Sequence, residues 1–231
     1  NNLTAIDQST DTCTNNFAVL NPLYKSTVVL SEGNVLAVES AGSFNSVFST
    51  IGASSGKWYA EFRVIALAGD IMRNFFGIVD ARDGTVIAQT EMGNSTTNRV
   101  GDTVSVDKAR ARKNGSTIYT TSITAVGDIV GVYLDLDNGA VYFSENGSLL
   151  NSGDPSSGSS KTGAITITVG ETYLFGLTAY NSSCSVNFGN PHIAPSSANT
   201  DANGWGSFEY SPTVSGVDYY ALNTKNLAEY G

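Results

Sequence analysis

The chain has 231 residues, 12 basic and 21 acidic side chains and a net charge of −9. A pI near 4.4 excludes nucleic acid as the main partner, since neutralising phosphates needs a basic field, and disfavours docking on anionic lipid. Charged residues make up only 14%, so the polarity comes from Ser, Thr, Asn and Gly, which serve strands and turns better than long surface helices.

The start, Asn1-Asn2-Leu3-Thr4, carries no Met and no basic-then-apolar leader, so the chain is expected to be a processed product or a piece of a longer one. No apolar run approaches the ~20 residues that span a bilayer, so no membrane insertion is expected. Residues 28–30 and 35–38 flank Ser31-Glu32-Gly33-Asn34 and read as a hairpin. Residues 57–64 alternate, with Trp58, Ala60, Phe62 and Val64 on one face and Lys57, Tyr59, Glu61 and Arg63 on the other. Trp58, an apolar ring with one N–H, suits a half-buried sheet face. Residues 74–80 form a strand closed by the turn Arg82-Asp83-Gly84. Lys108, Arg110 and Arg112 alternate with Ala109 and Ala111, a basic stripe if the segment is a strand. It is either an anion contact or a solvated edge strand protected by charge.

Residues 129–135 and 140–144 flank Asp137-Asn138-Gly139, where Asn-Gly can supply the two φ > 0 residues of a type I′ turn. Residues 154–162 read as a mobile Ser/Gly-rich loop. Strands at 165–169, 173–179 and 184–188 complete the run, and Trp205, Phe208, Tyr210, Tyr219 and Tyr220 make an aromatic-rich tail. No convincing amphipathic helix appears in the pattern. Many short strands between turns predict an all-β antiparallel sandwich with short irregular flanks, a barrel being the runner-up. The expected units are a lead-in at 1–40, a core at 41–190 and a C-terminal segment at 191–231 that joins a further domain.

Candidate chemistry is sparse. Cys13 and Cys184 pair only if the strands near the two ends lie side by side; otherwise they are thiols, buried or half-buried. One His and two Cys cannot build a Cys/His zinc site, and no cofactor is expected. Asp135 and Asp137, two apart on a strand, could form the carboxylate pair of a retaining glycosidase, with Glu61 as a further candidate. Hairpin solvation is the simpler account of the pair, and too few oxygens gather there for calcium. His192 follows Asn190-Pro191 in a loop, and no Gly-x-Ser-x-Gly elbow exists to position a serine.

Three segments carry a family resemblance. Gly56-Lys57-Trp58-Tyr59-Ala60-Glu61-Phe62, the block from Gly127-Asp128-Ile129-Val130-Gly131-Val132 through Val141-Tyr142-Phe143-Ser144-Glu145-Asn146-Gly147, and Ser185-Val186-Asn187-Phe188-Gly189 resemble, in order, three strands of the SPRY domain, called B30.2 when extended. The resemblance implies a concanavalin-like jelly roll and a non-catalytic interaction module. Some lectins and glucanases have a similar sandwich, but the Glu-x-Asp-x-x-Glu strand of those glucanases is missing here. The flanks at residues 11–23 and 219–231 look like the lead-in and tail of SPRY-like proteins of tailed bacteriophages. That likeness implies a structural or adhesive role in a fibre, spike or capsid appendage, in a virion assembled in the host cytoplasm. The implied partners are other virion proteins or a host cell-surface polysaccharide, with homotrimerisation through flanks such as the aromatic tail. Contact residues are expected on loops: Arg82, Asp83, Glu91 and Asn94 within 83–98 and its approach, the loop at 154–161, and Tyr180 and Asn181 within 180–183. A purely architectural part and a carbohydrate-active enzyme are the rival readings.

Overall fold

The structure is a computed structural model that describes residues 12–67, 73–83, 91–94, 100–123 and 125–231. Its strands are β1 (Leu20–Lys25), β2 (Val29–Ser31), β3 (Leu36–Glu39), β4 (Asn45–Ala53), β5 (Lys57–Leu67), β6 (Phe75–Asp80), β7 (Thr103–Val106), β8 (Arg110–Lys113) and β9 (Ser116–Thr120). They continue with β10 (Ile129–Asp135), β11 (Ala140–Glu145), β12 (Ser148–Leu149), β13 (Ile165–Thr166), β14 (Tyr173–Ala179), β15 (Ser182–Asn187) and β16 (Tyr220–Ala221), and end in helix α1 (Thr224–Tyr230). One sheet runs β1-β4-β14-β6-β7-β8-β9; the other runs β12-β11-β10-β5-β15-β3-β2, with β13 on β11 and β16 on β5.

The predicted sandwich forms because the alternation of β5 is met from across the gap. Trp58, Phe62 and Val64 face a core completed by Phe76, Ile78, Phe175 and Leu177 of the other sheet. Phe62 and Phe76 stack at 5.3 Å. Trp58 is wholly buried, where a half-buried position was expected, and its indole N–H donates to the Ser55 carbonyl at 2.7 Å. On β10, a side chain at Gly131 would run into Ser144 Oγ and the Tyr59 ring, so that strand can lie this close only as glycine.

The other face of β5 is covered too. Tyr59, Tyr133 and Tyr142 pack against Phe208 and Tyr219 from the tail, with ring centroids 5.1 Å apart for Tyr59–Phe208 and 5.2 Å for Tyr133–Tyr219. The anchor is Glu61, which accepts the backbone N–H groups of Glu209 at 3.0 Å and Tyr210 at 2.8 Å. Where β15 leaves β5 after the Asn187–Glu61 pair, β16 takes its place beside Trp58 and Tyr59, the one parallel pairing among the described strands. Asp201 holds the end of this layer through Ala221 N at 3.0 Å and Asn226 Nδ2 at 2.7 Å. Residues 191–231 therefore share the core of 41–190, and the tail aromatics Phe208 and Tyr219 are buried within the chain.

Two local expectations are corrected. In the loop 136–139 only Gly139 takes positive φ, at 67°, so the hairpin is not type I′. The Asp135 carboxylate accepts Asn138 N at 3.0 Å and Asn138 Nδ2 at 2.8 Å, building the turn around its own side chain. Residues 154–162 are an ordered 3-10 turn, Pro155–Ser160, capped by Asp154 accepting Ser156 N at 3.0 Å. The short helix α1, capped by Asn223, buries Asn226 and half-buries Leu227, so it leaves no amphipathic stripe to detect.

The cysteines are unpaired. Cys13 is exposed, while Cys184 lies in β15 with its side chain in the inter-sheet core. Burial pushes the Cys184 thiol up to about 12. Under native conditions an alkylating reagent is expected to modify Cys13 rapidly and Cys184 only after denaturant is added. Equally rapid modification of both thiols would contradict this placement.

Candidate functional site

The sandwich has two ends, and the connections at one of them converge. Ala179 pairs with Asn45, Thr178 with Phe75, and Ser182 with Glu39 and Leu67. The β3–β4 and β14–β15 turns therefore meet the approach to β6. Buried Glu39 ties them, accepting Ala41 N at 2.7 Å from one turn and Asn181 N at 2.7 Å from the other. Asn181 takes φ 45°, which lets the chain reverse in two residues. Gly42 leaves room for the Asn181 carboxamide, which a side chain at 42 would touch.

This reversal sets the Tyr180 ring 4.8 Å from Phe44, whose edge meets Phe75 at 5.8 Å. Arg73 lies over both rings, its guanidinium carbon 5.0 Å from the Tyr180 centroid and 5.8 Å from that of Phe44. Among the described residues Arg73 forms no ion pair. A guanidinium held against rings keeps its in-plane N–H donors directed at solvent. Tyr180 and Asn181 were expected contact residues; Phe44 and Arg73 were missed. The one available signal was that Arg73 is the only basic residue between Arg63 and Arg82.

The other expected residues are dispersed. Arg82 is at the opposite end, clamped to Asp80 at 2.7 Å and Glu171 at 2.9 Å. Asp83 is fully buried, contrary to its reading as a loop contact, because the turn folds its N–H onto the Asp80 carbonyl at 2.9 Å. Residues 84–90 and 95–99 of that loop lie outside the described residues. Glu91 holds Asn94 Nδ2 at 2.5 Å and Arg112 at 2.8 Å. The basic stripe is also corrected. Arg112 is buried, ion-paired to Asp107 at 3.1 Å and lying over Phe75 at 5.2 Å. Arg110 turns towards Asp107 at 3.8 Å, and exposed Lys108 precedes the strand.

The carboxylates weighed for catalysis have structural partners. Lys57 bonds both Asp135 at 3.0 Å and Asp137 at 2.7 Å, and Asp137 also accepts Gly56 N at 2.8 Å. Burial would raise the Asp137 carboxyl, but Lys57 and Gly56 hold it below the usual range. A general acid needs the opposite shift. Burial does push Glu61 up, against the amides of Tyr210 and Glu209, but both its oxygens bind the tail, Asn187 and Tyr59. His192 is half-buried in a groove of about 30 Å³ beside Arg63 and Glu209, and burial pushes its imidazole down. Among the described residues no group of three or more His, Cys, Asp or Glu could hold a metal ion.

A scan against models of known families found no match, and neither did a search of curated proteins. Solved structures do match. The SPRY domain of human HERC1 is similar at TM-score 0.53 and 14% identity, covering 72% of this chain and 96% of that one. The PSpry domain of TRIM65 gives TM-score 0.46 and 13% identity, over 74% of this chain and 92% of that one. The HERC1 likeness shows a SPRY-type jelly-roll sandwich and extends to the fold alone.

Proposed function

We propose that the chain is a non-catalytic binding module of a bacteriophage virion that takes an acidic sugar of a host-surface polysaccharide at the Arg73 end. The observation that carries this reading is the Arg73 guanidinium, set over Tyr180 and Phe44 and without an ion pair among the described residues. A sugar carboxylate matches the guanidinium fork in bidentate fashion. The apolar face of a pyranose packs on an aromatic ring such as Tyr180, and the Asn181 carboxamide offers both a donor and an acceptor to hydroxyls. The virion setting rests on the resemblance of residues 11–23 and 219–231 to phage flanks. With a net charge of −9, affinity must come from short-range contacts, since the overall field repels a polyanion.

The test is calorimetric titration with acidic oligosaccharides and their carboxyl-reduced counterparts. Arg73→Gln and Arg73→Lys are expected to weaken binding about 10- to 100-fold, in line with loss of a charge-assisted bidentate contact. The reduced sugars should bind the unaltered chain as poorly. Undiminished binding by Arg73→Gln would overturn the reading, as would tight binding of acidic peptides with no binding of any acidic glycan.

A further inference from the structure

At the opposite end, a cleft of about 450 Å³ opens between the β10–β11 turn and the C-terminal layer. Its lining includes Lys57, Asp137, Gly216, Asp218, Tyr220 and Tyr230. We infer that this cleft is a subsite for a neutral sugar, independent of the Arg73 site.

The walls are built from constrained parts. Val214 and Val217 exchange backbone bonds at 3.0 and 2.9 Å around Ser215 and Gly216, whose φ values of 51° and 74° make a tight reversal. The Tyr220 and Tyr230 rings stack at 3.9 Å and 13°. The Tyr230 carbonyl presses on Gly56, where a Cβ would lie 2.6 Å from it. The aromatic wall is therefore fixed against the start of β5.

The polar groups have capacity left. Lys57 directs two of its three N–H donors to Asp135 and Asp137, leaving one. Asp137 is half-exposed, and its two oxygens receive one bond each. Exposed Asp218 receives Thr213 Oγ1 at 2.6 Å on one oxygen, leaving the other open. One ammonium donor, two carboxylates and a pair of rings complement a vicinal diol on a pyranose face. Charge selects against an anion: Lys57 is already paired to Asp135 and Asp137, and Asp218 adds a further negative charge to the lining. The volume suits a ligand of one or two sugar rings.

The experiment is protein-observed NMR on the full chain with a panel of methyl hexopyranosides. The expected result is fast-exchange shifts confined to residues near 56–57, 137, 216–220 and 230, with Kd in the millimolar range. Asp218→Ala, an exposed change that leaves the fold intact, should weaken binding about tenfold. Tyr230→Ala should abolish it, and Arg73→Gln should leave it unchanged. Shifts absent at about 50 mM of every sugar, well above a millimolar Kd, would overturn the inference. So would shifts mapping elsewhere, or full binding by Asp218→Ala. Because Arg73→Gln tests the other end alone, either site can fail while the other stands.

Discussion

A chain ending at residue 190 is expected to show no cooperative unfolding transition. The C-terminal layer buries Phe208 and Tyr219 completely, and it covers Tyr59, Tyr133 and Tyr142 of the sheet beneath. Burying one large aromatic stabilises by about 2–3 kcal/mol. Losing two such residues and uncovering three more removes about 8–12 kcal/mol, which is of the order of a whole domain's stability. The loss is also polar, since Glu61 would keep its buried place without the two backbone N–H groups it now accepts. Losing β16 would leave one edge of β5 unpaired beside Trp58 and Tyr59, the other edge staying on β10. The measurement is urea unfolding followed by near-UV and far-UV circular dichroism. A transition with the midpoint and slope of the full chain would mean that the tail is an appendage.

That layer is also where the sequence was least informative. The alternation in residues 57–64 correctly assigned two faces to β5, but alternation says only which residues share a face. It cannot tell a solvated outer face from one covered by a segment about 150 residues away. The covering segment has no period to detect: it is held by isolated bridges, capped turns and the side chains of Glu61 and Asp201. The misreading of Arg112 has the same origin, because its burial comes from Glu91 and Asp107 on other segments. At the candidate site, Tyr180 and Asn181 were legible because a short polar stretch, residues 180–183, stands out between two apolar strands. Phe44 and Arg73 were not, since they join that turn only through the order of β4, β14 and β6 in the sheet. The SPRY-like strand block was legible because its glycines and hairpin meet local demands, such as the close approach at Gly131.

Glu61→Gln is expected to cost about 1–3 kcal/mol, because the new amide nitrogen must face at least one donor that the carboxylate now accepts. For a domain of this size that lowers Tm by about 3–10 °C. Tyr59 Oη donates to Oε1 at 3.1 Å and can rotate, but Tyr210 N on the same oxygen cannot. Asn187 Nδ2 and Glu209 N load the other oxygen at 3.0 Å each, so neither amide orientation fits. The pH dependence follows from burial, which raises the folded Glu61 carboxyl above its ordinary 4.5 against the pull of Tyr210 and Glu209. Between the unfolded and the raised folded value, the folded chain binds more protons than the unfolded one, so stability falls as pH rises. Gln at this position cannot titrate. The unaltered chain's margin over the variant should therefore be largest below pH 4.5 and shrink as pH rises through the folded value. Asp102, Asp137 and Glu209 are held below their ordinary values and act in the opposite sense, but both proteins contain them, so they cancel in the difference. Parallel denaturation of the two proteins from pH 4 to 8 reads the margin directly. A margin that grows with pH would mean that the tail amides outweigh burial, making this carboxylate a latch that closes only when ionised.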